Sequence, residues 1–575
     1  MISLSRRLPL FLGTLATSLL FLFSCDKAPQ KTPAKGGGND KQASVKGDVV
    51  DDGKDLGDTL VWAVQSDADG FLPPVNETAT GGAIMDLLMP SFMQSDFKDG
   101  RLVHLPGLAE SWEQSEDKNH ITFHLRKDVL WDDGKPITAW DQAFCYDLIR
   151  DPKVLSPRRP FTDRMDDAKP YEVLDDYTIR FNYKWGYNIL TMMSHAGMSP
   201  VPKHLLEGAD RTQLREHPLN KKMPVGHGPF RLLDWKRDQS IRISRNPACK
   251  IQEVPRLNRI EVKVIPEYAT RIAELKSGKV DLVEALRVKD IESVRAYPNV
   301  KIYRRGFRFM DYIAWNQQND LFKDRRVRRA LTMSIDIQRF IRAYLTTKGG
   351  EVTAMPAYST FTPELKDYYD PDFKLLPYDP AKAKALLAEA GWTDSDGDGV
   401  LDKDGKKFSF TLLTNAGNPR RQDMGVVVKE ELDKLGILVD LEYMEGNTFF
   451  GNLRKKEYEA AISGWSAGLF PDPSDIWMTA TKEKPRMFNF TGYSNPEADK
   501  LIDAGLHTSD LETEKAAYKK LLRIIYEDQP YTFLFWRAEY FALDKRFRGV
   551  EPSVLSVLKD VETWWVPKAE QRYKF

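Results

Sequence analysis

The stretch FSFTLLTNAGNPRRQDMGVVVKEELDKLGILVDLEYM, Phe408 to Met444, decides the fold class. Phe408 to Leu413 reads as a strand, Arg420 to Leu435 as a helix that Gly436 ends, and Ile437 to Tyr443 as a second strand. A strand, a helix and a strand in so short a span imply a parallel pair joined by a right-handed crossover. This part of the chain is therefore expected to be an α/β lobe.

Upstream, Asp379 is placed to cap a helix, Pro380 suits its first turn, Leu386, Leu387 and Ala390 share a face, and Gly391 stops it. Period-two alternation predicts half-buried strands at Leu60, Trp62, Val64; at Ile121, Phe123, Leu125; at Ile179, Phe181, Tyr183; and at Ile260, Val262, Val264. The amino-terminal third is richer in strands and poorer in long helices, as a separate domain would be. A chain of 575 residues is too long for a single core.

At the amino end, Arg6 and Arg7 precede the apolar run Leu8 to Phe23. That run falls short of the roughly 20 residues a bilayer span needs, and a charged start with small residues at the end describes an export signal. Its close, Leu22-Phe23-Ser24-Cys25, resembles the bacterial lipobox, in which Cys25 becomes the acylated first residue. At about 0.8 kcal/mol per buried methylene, several acyl chains on one cysteine would hold a soluble domain at a membrane. Residues 25 to 57 are rich in Lys, Gly, Asp, Gln and Ser and read as a flexible tether. Asp26 after the cysteine resembles a signal for retention at the outer face of the cytoplasmic membrane, on the periplasmic side.

Lys plus Arg equal Asp plus Glu at 84 each, which argues against a nucleic-acid partner. Of the three cysteines, Cys145 and Cys249 remain beside Cys25, and they are expected to be separate buried thiols. There is no zinc spacing, no internal repeat and no second apolar run long enough to span a membrane.

LAESWEQSEDKNHITFHLRKDVLWDDGKPITAWDQAFCYDLI, Leu108 to Ile149, resembles the long characteristic block of the large solute-binding proteins of bacterial ABC importers for dipeptides and oligopeptides. GHGPF (Gly226 to Phe230), ELKSGKVDLV (Glu274 to Val283), FKDRRVRRALTMSID (Phe322 to Asp336), DPAKAKALLAEAGW (Asp379 to Trp392) and FNFTGYSNPEADKLI (Phe488 to Ile502) follow in that family's order. Trp131 departs from the family's usual Phe-His before the Asp133-Gly134 turn, a packing change. The resemblance implies a monomeric, non-enzymatic, two-lobed α/β fold of the periplasmic-binding-protein type, class II, with an extra domain inserted in the first lobe. By that analogy the first lobe combines residues 58–103, 225–311 and 535–575, the extra domain is 104–224, and the second lobe is 312–534. A peptide or similar-sized solute would be enclosed between the lobes and passed to a membrane-embedded ABC permease.

In peptide-binding relatives an aspartate about three residues after a tryptophan pairs with the ligand's amine; in SGWSAGLFPDPSDIW, Ser463 to Trp477, that place is Gly468. Asp472, between Pro471 and Pro473, and Glu77, beside Thr78 in PPVNETATGG, are the acids that stand to replace it. Trp465, Trp477 and Trp62 are candidate apolar walls, and Asn316 is a candidate amide for the ligand backbone. The same stretch carries a rival reading, since GWSAG fits the G-x-S-x-G elbow of α/β hydrolases and would make Ser466 a nucleophile. Pro471 and Pro473 stand where the elbow's helix must run, and the only downstream histidine is His507. Asp394, Asp396, Asp398 and Asp402 occupy positions 1, 3, 5 and 9 of an EF-hand-like loop, but Gly405 replaces the glutamate at position 12. An Asp-Gly turn is the expectation there, a weak calcium site the alternative, and no cofactor is expected.

Overall fold

A computed structural model describes residues 54–222, 224–482, 484 and 486–573. The export signal, Cys25 and the tether as far as residue 53 lie outside the described residues. Among those described, no helix is long and apolar enough to cross a membrane.

The telling stretch forms as read. Ser409–Asn415 and Leu438–Met444 pair in parallel on either side of the Pro419–Asp433 helix, which Pro419 opens and the Asn418 side chain caps. Gly436 ends the connection at φ +80, and a Cβ there would stand 2.5 Å from the Gly399 carbonyl oxygen. The Pro380–Glu389 helix starts on Asp379 as predicted, and Gly391 follows it at φ +90.

These strands belong to an eleven-stranded sheet whose middle is two long neighbours, Val300–Trp315 and Tyr531–Asp544. Beyond Val300–Trp315 lie Ala460–Ser466, Ser409–Asn415 and Leu438–Met444. Beyond Tyr531–Asp544 lie Leu282–Val283, Thr59–Val64, Arg259–Val264, Ser240–Arg245 and Phe230–Lys236, and the eleventh strand, the short Ala354–Pro356, also pairs with Tyr531–Asp544. The two long strands thus run from one half of the molecule into the other. Their ladder shifts register between Arg304 and Phe307, between Phe307 and Phe309, and between Asp311 and Tyr312. Such bulges bend a strand where it changes partners.

Each half has its own cores. In the second half Ile313 and Trp315 face Phe410, Leu412 and Val439 on one side of the sheet, and Tyr312 and Ala314 face Trp477, Tyr518 and Trp536 on the other. In the first half Thr59–Val64 departs from expectation, because all six residues are buried. It pairs in parallel with a strand on each side; Leu60, Trp62 and Val64 enter one core while Val61 and Ala63 enter another. Ile179 and Phe181, and Ile260 and Val262, alternate as predicted.

A separate antiparallel sheet, Ala109–Gln114, His120–Leu125, Thr178–Asn182 and Tyr171–Asp175, packs against the Ala139–Arg150 helix. Cys145 on that helix and Cys249 are both unpaired and buried, and burial pushes the Cys145 thiol up to about 12. Gly226 and Gly228 lie against the end of the Ala79–Leu88 helix, whose Leu88 carbonyl accepts from the backbone N–H groups of His227 and Gly228 at 3.0 and 2.9 Å. Trp131 meets the buried His227 ring edge-on at 5.2 Å. The first half is knitted at one corner by Arg546, which Asp58, Asp281 and Asp544 surround. At the same corner the backbone N–H of Tyr573 donates to Asp58 at 3.0 Å and the Gln571 amide donates to the Leu56 carbonyl at 3.0 Å.

Candidate functional site

The two halves face one another across a line of polar contacts. Arg164, beyond the helix Ala139–Arg150, pairs with Asp472 of the second half. The Asn188 amide donates to Glu514, whose other oxygen accepts from the Tyr368 hydroxyl. Arg101 donates to Asp367 at 3.0 Å, and Lys515 stands 3.4 Å from the same carboxylate. Three ring contacts complete the line, Trp185 and Tyr187 with His507 at 4.7 and 6.0 Å and His195 with Phe470 at 6.3 Å.

Burial shapes the titration of these groups. It pushes Glu514 up to about 7 in spite of the Tyr368 hydrogen bond. At Asp472 burial acts upward, but Arg164 and the Ser474 hydrogen bonds outweigh it and hold the carboxyl below its ordinary value. Burial and then Arg164 bring His195 down to about 4.

On the first-half side of this line lies a cavity of about 290 Å³. Met85 and Asp86 reach it from the Ala79–Leu88 helix, His104 from the Gln94–Lys98 and Arg101–Leu105 hairpin, Arg158 from a loop, and Met193 and Ser194 from the Ile189–Ala196 helix. Two of its walls also touch the second half, the hairpin through Arg101 and the Ile189–Ala196 helix through His195.

The structure separates the residues singled out from sequence. Trp465, partly exposed at the end of the Ala460–Ser466 strand, stacks on Phe490 at 5.3 Å and on Tyr312 at 5.9 Å. Asp472 lies at the lobe contact, already paired. Trp477 is a correction: it is wholly buried, its indole N–H donates to Thr360 at 3.0 Å, and it belongs to the core. Trp62 is likewise core. Asn316 is a second correction, since its amide donates to the Lys456 and Tyr458 carbonyls at 3.0 and 2.7 Å and its oxygen accepts from the Gln318 N–H. Those bonds spend its polar atoms on a turn. Thr78 caps the Ala79–Leu88 helix and donates to Asp69 at 2.7 Å, while Glu77 is exposed and pairs with Arg215 at 2.7 Å. Neither lines the cavity.

Ser466 is exposed at a strand end, and the chain after it runs without a helix until Ser474–Trp477, so no nucleophile elbow forms. His507 is taken up by Asp503 at 2.9 Å and by the Trp185 ring. In the acidic loop Asp394, Asp396 and Asp398 come together. Lys407 reaches both Asp396 and Asp398, and Asp402 turns away to accept from Ser395.

Sequence reading missed Asp86, Arg158 and the cluster in which Arg420, Arg421 and Arg537 surround Asp311. Nothing local marks these residues, because each acquires its role from neighbours far along the chain.

Residues 105–486 match the family model described as bacterial extracellular solute-binding proteins, family 5 middle. The chain belongs to this family. Its members are binding proteins and not enzymes, they act outside the cytoplasm, and the serine-hydrolase reading falls. The chain is 34% identical over 80% of its length to the oligopeptide-binding protein AppA of Bacillus subtilis, covering 83% of that protein. It is 26% identical over 93% of its length to the heme-binding protein A of Haemophilus influenzae, covering 95% of that protein. The structure of B. subtilis AppA in complex with a nonapeptide superposes with a TM-score of 0.75 at 30% identity, over 90% of this chain and 100% of that one. The two-lobed fold of the family is therefore the fold of this chain.

Proposed function

We propose that this protein captures peptides between its two lobes outside the cytoplasm and delivers them to an ABC importer, acting as a monomer lipid-anchored through Cys25 at the outer face of the cytoplasmic membrane. The observation that carries the reading is a cavity, lined by methionines and a few polar groups, beside the line where two separately cored halves meet, with two bulged strands of one sheet running between them. Domain closure of this kind shields a ligand from water and strengthens its polar contacts. The moving bodies are residues 58–103, 225–311 and 535–575 with the extra domain 104–224 on one side, and 312–534 on the other. Similarity to an oligopeptide-binding protein, including one seen with a nonapeptide, favours peptides as the ligand class. The ligand needs no cofactor of the protein's own.

Native mass spectrometry of protein purified without denaturation, followed by mild unfolding, tests the reading. Release of mixed short peptides is expected. Release of a sugar, a metal chelate or a porphyrin keeps the transport role and replaces the ligand class; similarity to a heme-binding protein makes the last worth scoring. The anchor has its own test, since Cys25→Ala is expected to move the protein from the membrane fraction to the soluble one.

A further inference from the structure

The hairpin that walls the cavity also reaches into the other half. Gln94–Lys98 and Arg101–Leu105 form a two-stranded sheet that joins neither the eleven-stranded nor the four-stranded one. Asp99 and Gly100 turn it at φ +53 and +84, the conformation that Asp-Gly supplies for a tight two-residue turn. Opposite residues share a face, so Ser95 with His104 and Phe97 with Leu102 lie together. Ser95, Leu102 and His104 line the cavity. An isolated pair of strands is marginal in water and needs support from outside. At the root, the Gln94 amide donates to the Ile251 carbonyl within the first half.

The tip is supported by the second half. Phe97 packs against the core that contains Phe361, Leu365 and Tyr368. Gly100 is buried against the Lys366 stem, so closely that a Cβ there would stand 2.6 Å from the Lys366 Cγ. Arg101 binds both oxygens of Asp367, at 2.5 and 3.0 Å, and Lys515 stands 3.4 Å from the same carboxylate. An exposed ion pair alone contributes little, but a forked one in a network beside a packed ring is a fastening.

That fastening lies next to the join between the halves. Thr362 to Tyr368 is one run of turns, in which the Leu365 N–H donates to the Thr362 carbonyl and the Tyr368 N–H to the Leu365 carbonyl, each at 3.0 Å. The start of the run grips the crossing strand Val300–Trp315. The Thr362 hydroxyl donates to the Phe307 carbonyl, and the Phe307 N–H donates to Glu364 at 2.8 Å. The Glu364 carboxylate lies over Gly306, where a Cβ would meet its Oε1 at 2.5 Å. Phe307 sits between two register shifts of the crossing strands and packs against a core of each half.

We propose that the hairpin is a third, non-covalent crossing between the halves, clasped beside Phe307 through Phe97 and Arg101, and that it holds them to one path as they swing. The assignment rests on the lobe movement proposed above and adds the element that guides it. Two neighbouring strands about 4.8 Å apart oppose twisting poorly, and a further attachment widens their base. Because the same hairpin carries Ser95, Leu102 and His104, the second half sets the position of a cavity wall that belongs to the first.

The test is hydrogen exchange of the ligand-free full chain, read by mass spectrometry, with small-angle scattering beside it. Arg101→Ala and Phe97→Ala each loosen the tip, while Arg101→Lys keeps its charge. In the two alanine variants exchange is expected to quicken by about threefold or more over residues 305–309 and 362–368, and in Arg101→Lys to stay near the unaltered rate. The radius of gyration is expected to rise in the alanine variants alone. Arg101 is exposed at the tip, so its replacement leaves the fold intact even if that of Phe97 does not. Quickening confined to residues 94–105, or no quickening, overturns the clasp and leaves lobe movement standing. If an alanine nonapeptide that binds by calorimetry leaves the radius of the unaltered protein unchanged, lobe movement falls and the role of the clasp with it.

Discussion

Asp311 serves three guanidinium groups at once, with Arg420 Nε at 2.9 Å, Arg421 Nε at 3.0 Å and Arg537 Nε at 3.5 Å. Arg420 and Arg421 sit in the first turn of the Pro419–Asp433 helix, the end where the macrodipole disfavours positive charge. One carboxylate from a neighbouring strand offsets both the dipole and the arginines. Asp311→Ala leaves three clustered cations without a counter-charge and is expected to cost about 3–5 kcal/mol, read from the urea midpoint. Burial acts to raise the Asp311 carboxyl, but the three arginines hold it far below its ordinary value. The stability it contributes is therefore complete above about pH 4 and is lost as pH falls toward the folded value, a loss that the alanine variant should not show. The helix was legible in the sequence, down to its glycine stop. The cluster was not, because Asp311 and Arg420 are brought together only by strand order in the sheet, across 109 positions of chain. Asn316 and Trp477 misled for the converse reason: an amide and an indole look alike in sequence whether they face a ligand or the fold's own carbonyls and hydroxyls.

At the scale of elements, local pattern carried the parallel pair Ser409–Asn415 and Leu438–Met444, the capped helices and the Asp133-Gly134 turn, where spacing and punctuation are complete within a few residues. It did not carry the length of Val300–Trp315, whose RRGFRF segment, Arg304 to Phe309, lies where the ladder shifts register. Alternation is lost at such a place, and with it the signal. Nor did it carry the full burial of Thr59–Val64, which follows from having a parallel neighbour on each side. The acidic turn from Asp394 to Asp402 shows local chemistry closing on itself. Asp394 accepts from the Gly397 and Gly399 N–H groups at 2.8 and 3.0 Å, and Lys407 neutralises Asp396 and Asp398. A cation would have to displace that lysine and would still lack the bidentate glutamate. Melting temperatures in millimolar calcium and in chelator are expected to coincide, and a calcium-dependent rise would show a genuine site.

At the scale of the whole molecule, the contact between halves contains a proton-sensitive member. Glu514 faces Tyr368, Asn188, Asp472, Arg164, Lys515 and Tyr518. Its carboxyl is raised to about 7, so the stabilisation it lends to this contact is complete below about pH 4.5 and is lost as pH rises through about 7. Small-angle scattering of the ligand-free protein is expected to show a smaller radius at pH 5 than at pH 8. Glu514→Gln, neutral throughout, should flatten that dependence, and a profile unchanged by the substitution would rule Glu514 out as its source. The place where residues 55–58 meet residues 568–573 has a further consequence. The Lys568 N–H donates to Asp55 at 2.7 Å, and Gln571 and Tyr573 reach Leu56 and Asp58. The first half is thereby a closed ring in the path of the chain, and the second half is a detour inserted into it. A leash attached just before Asp55 or just after Tyr573 would leave from the same corner, so either mooring would hold the first half by the same point and leave the inserted second half unburdened.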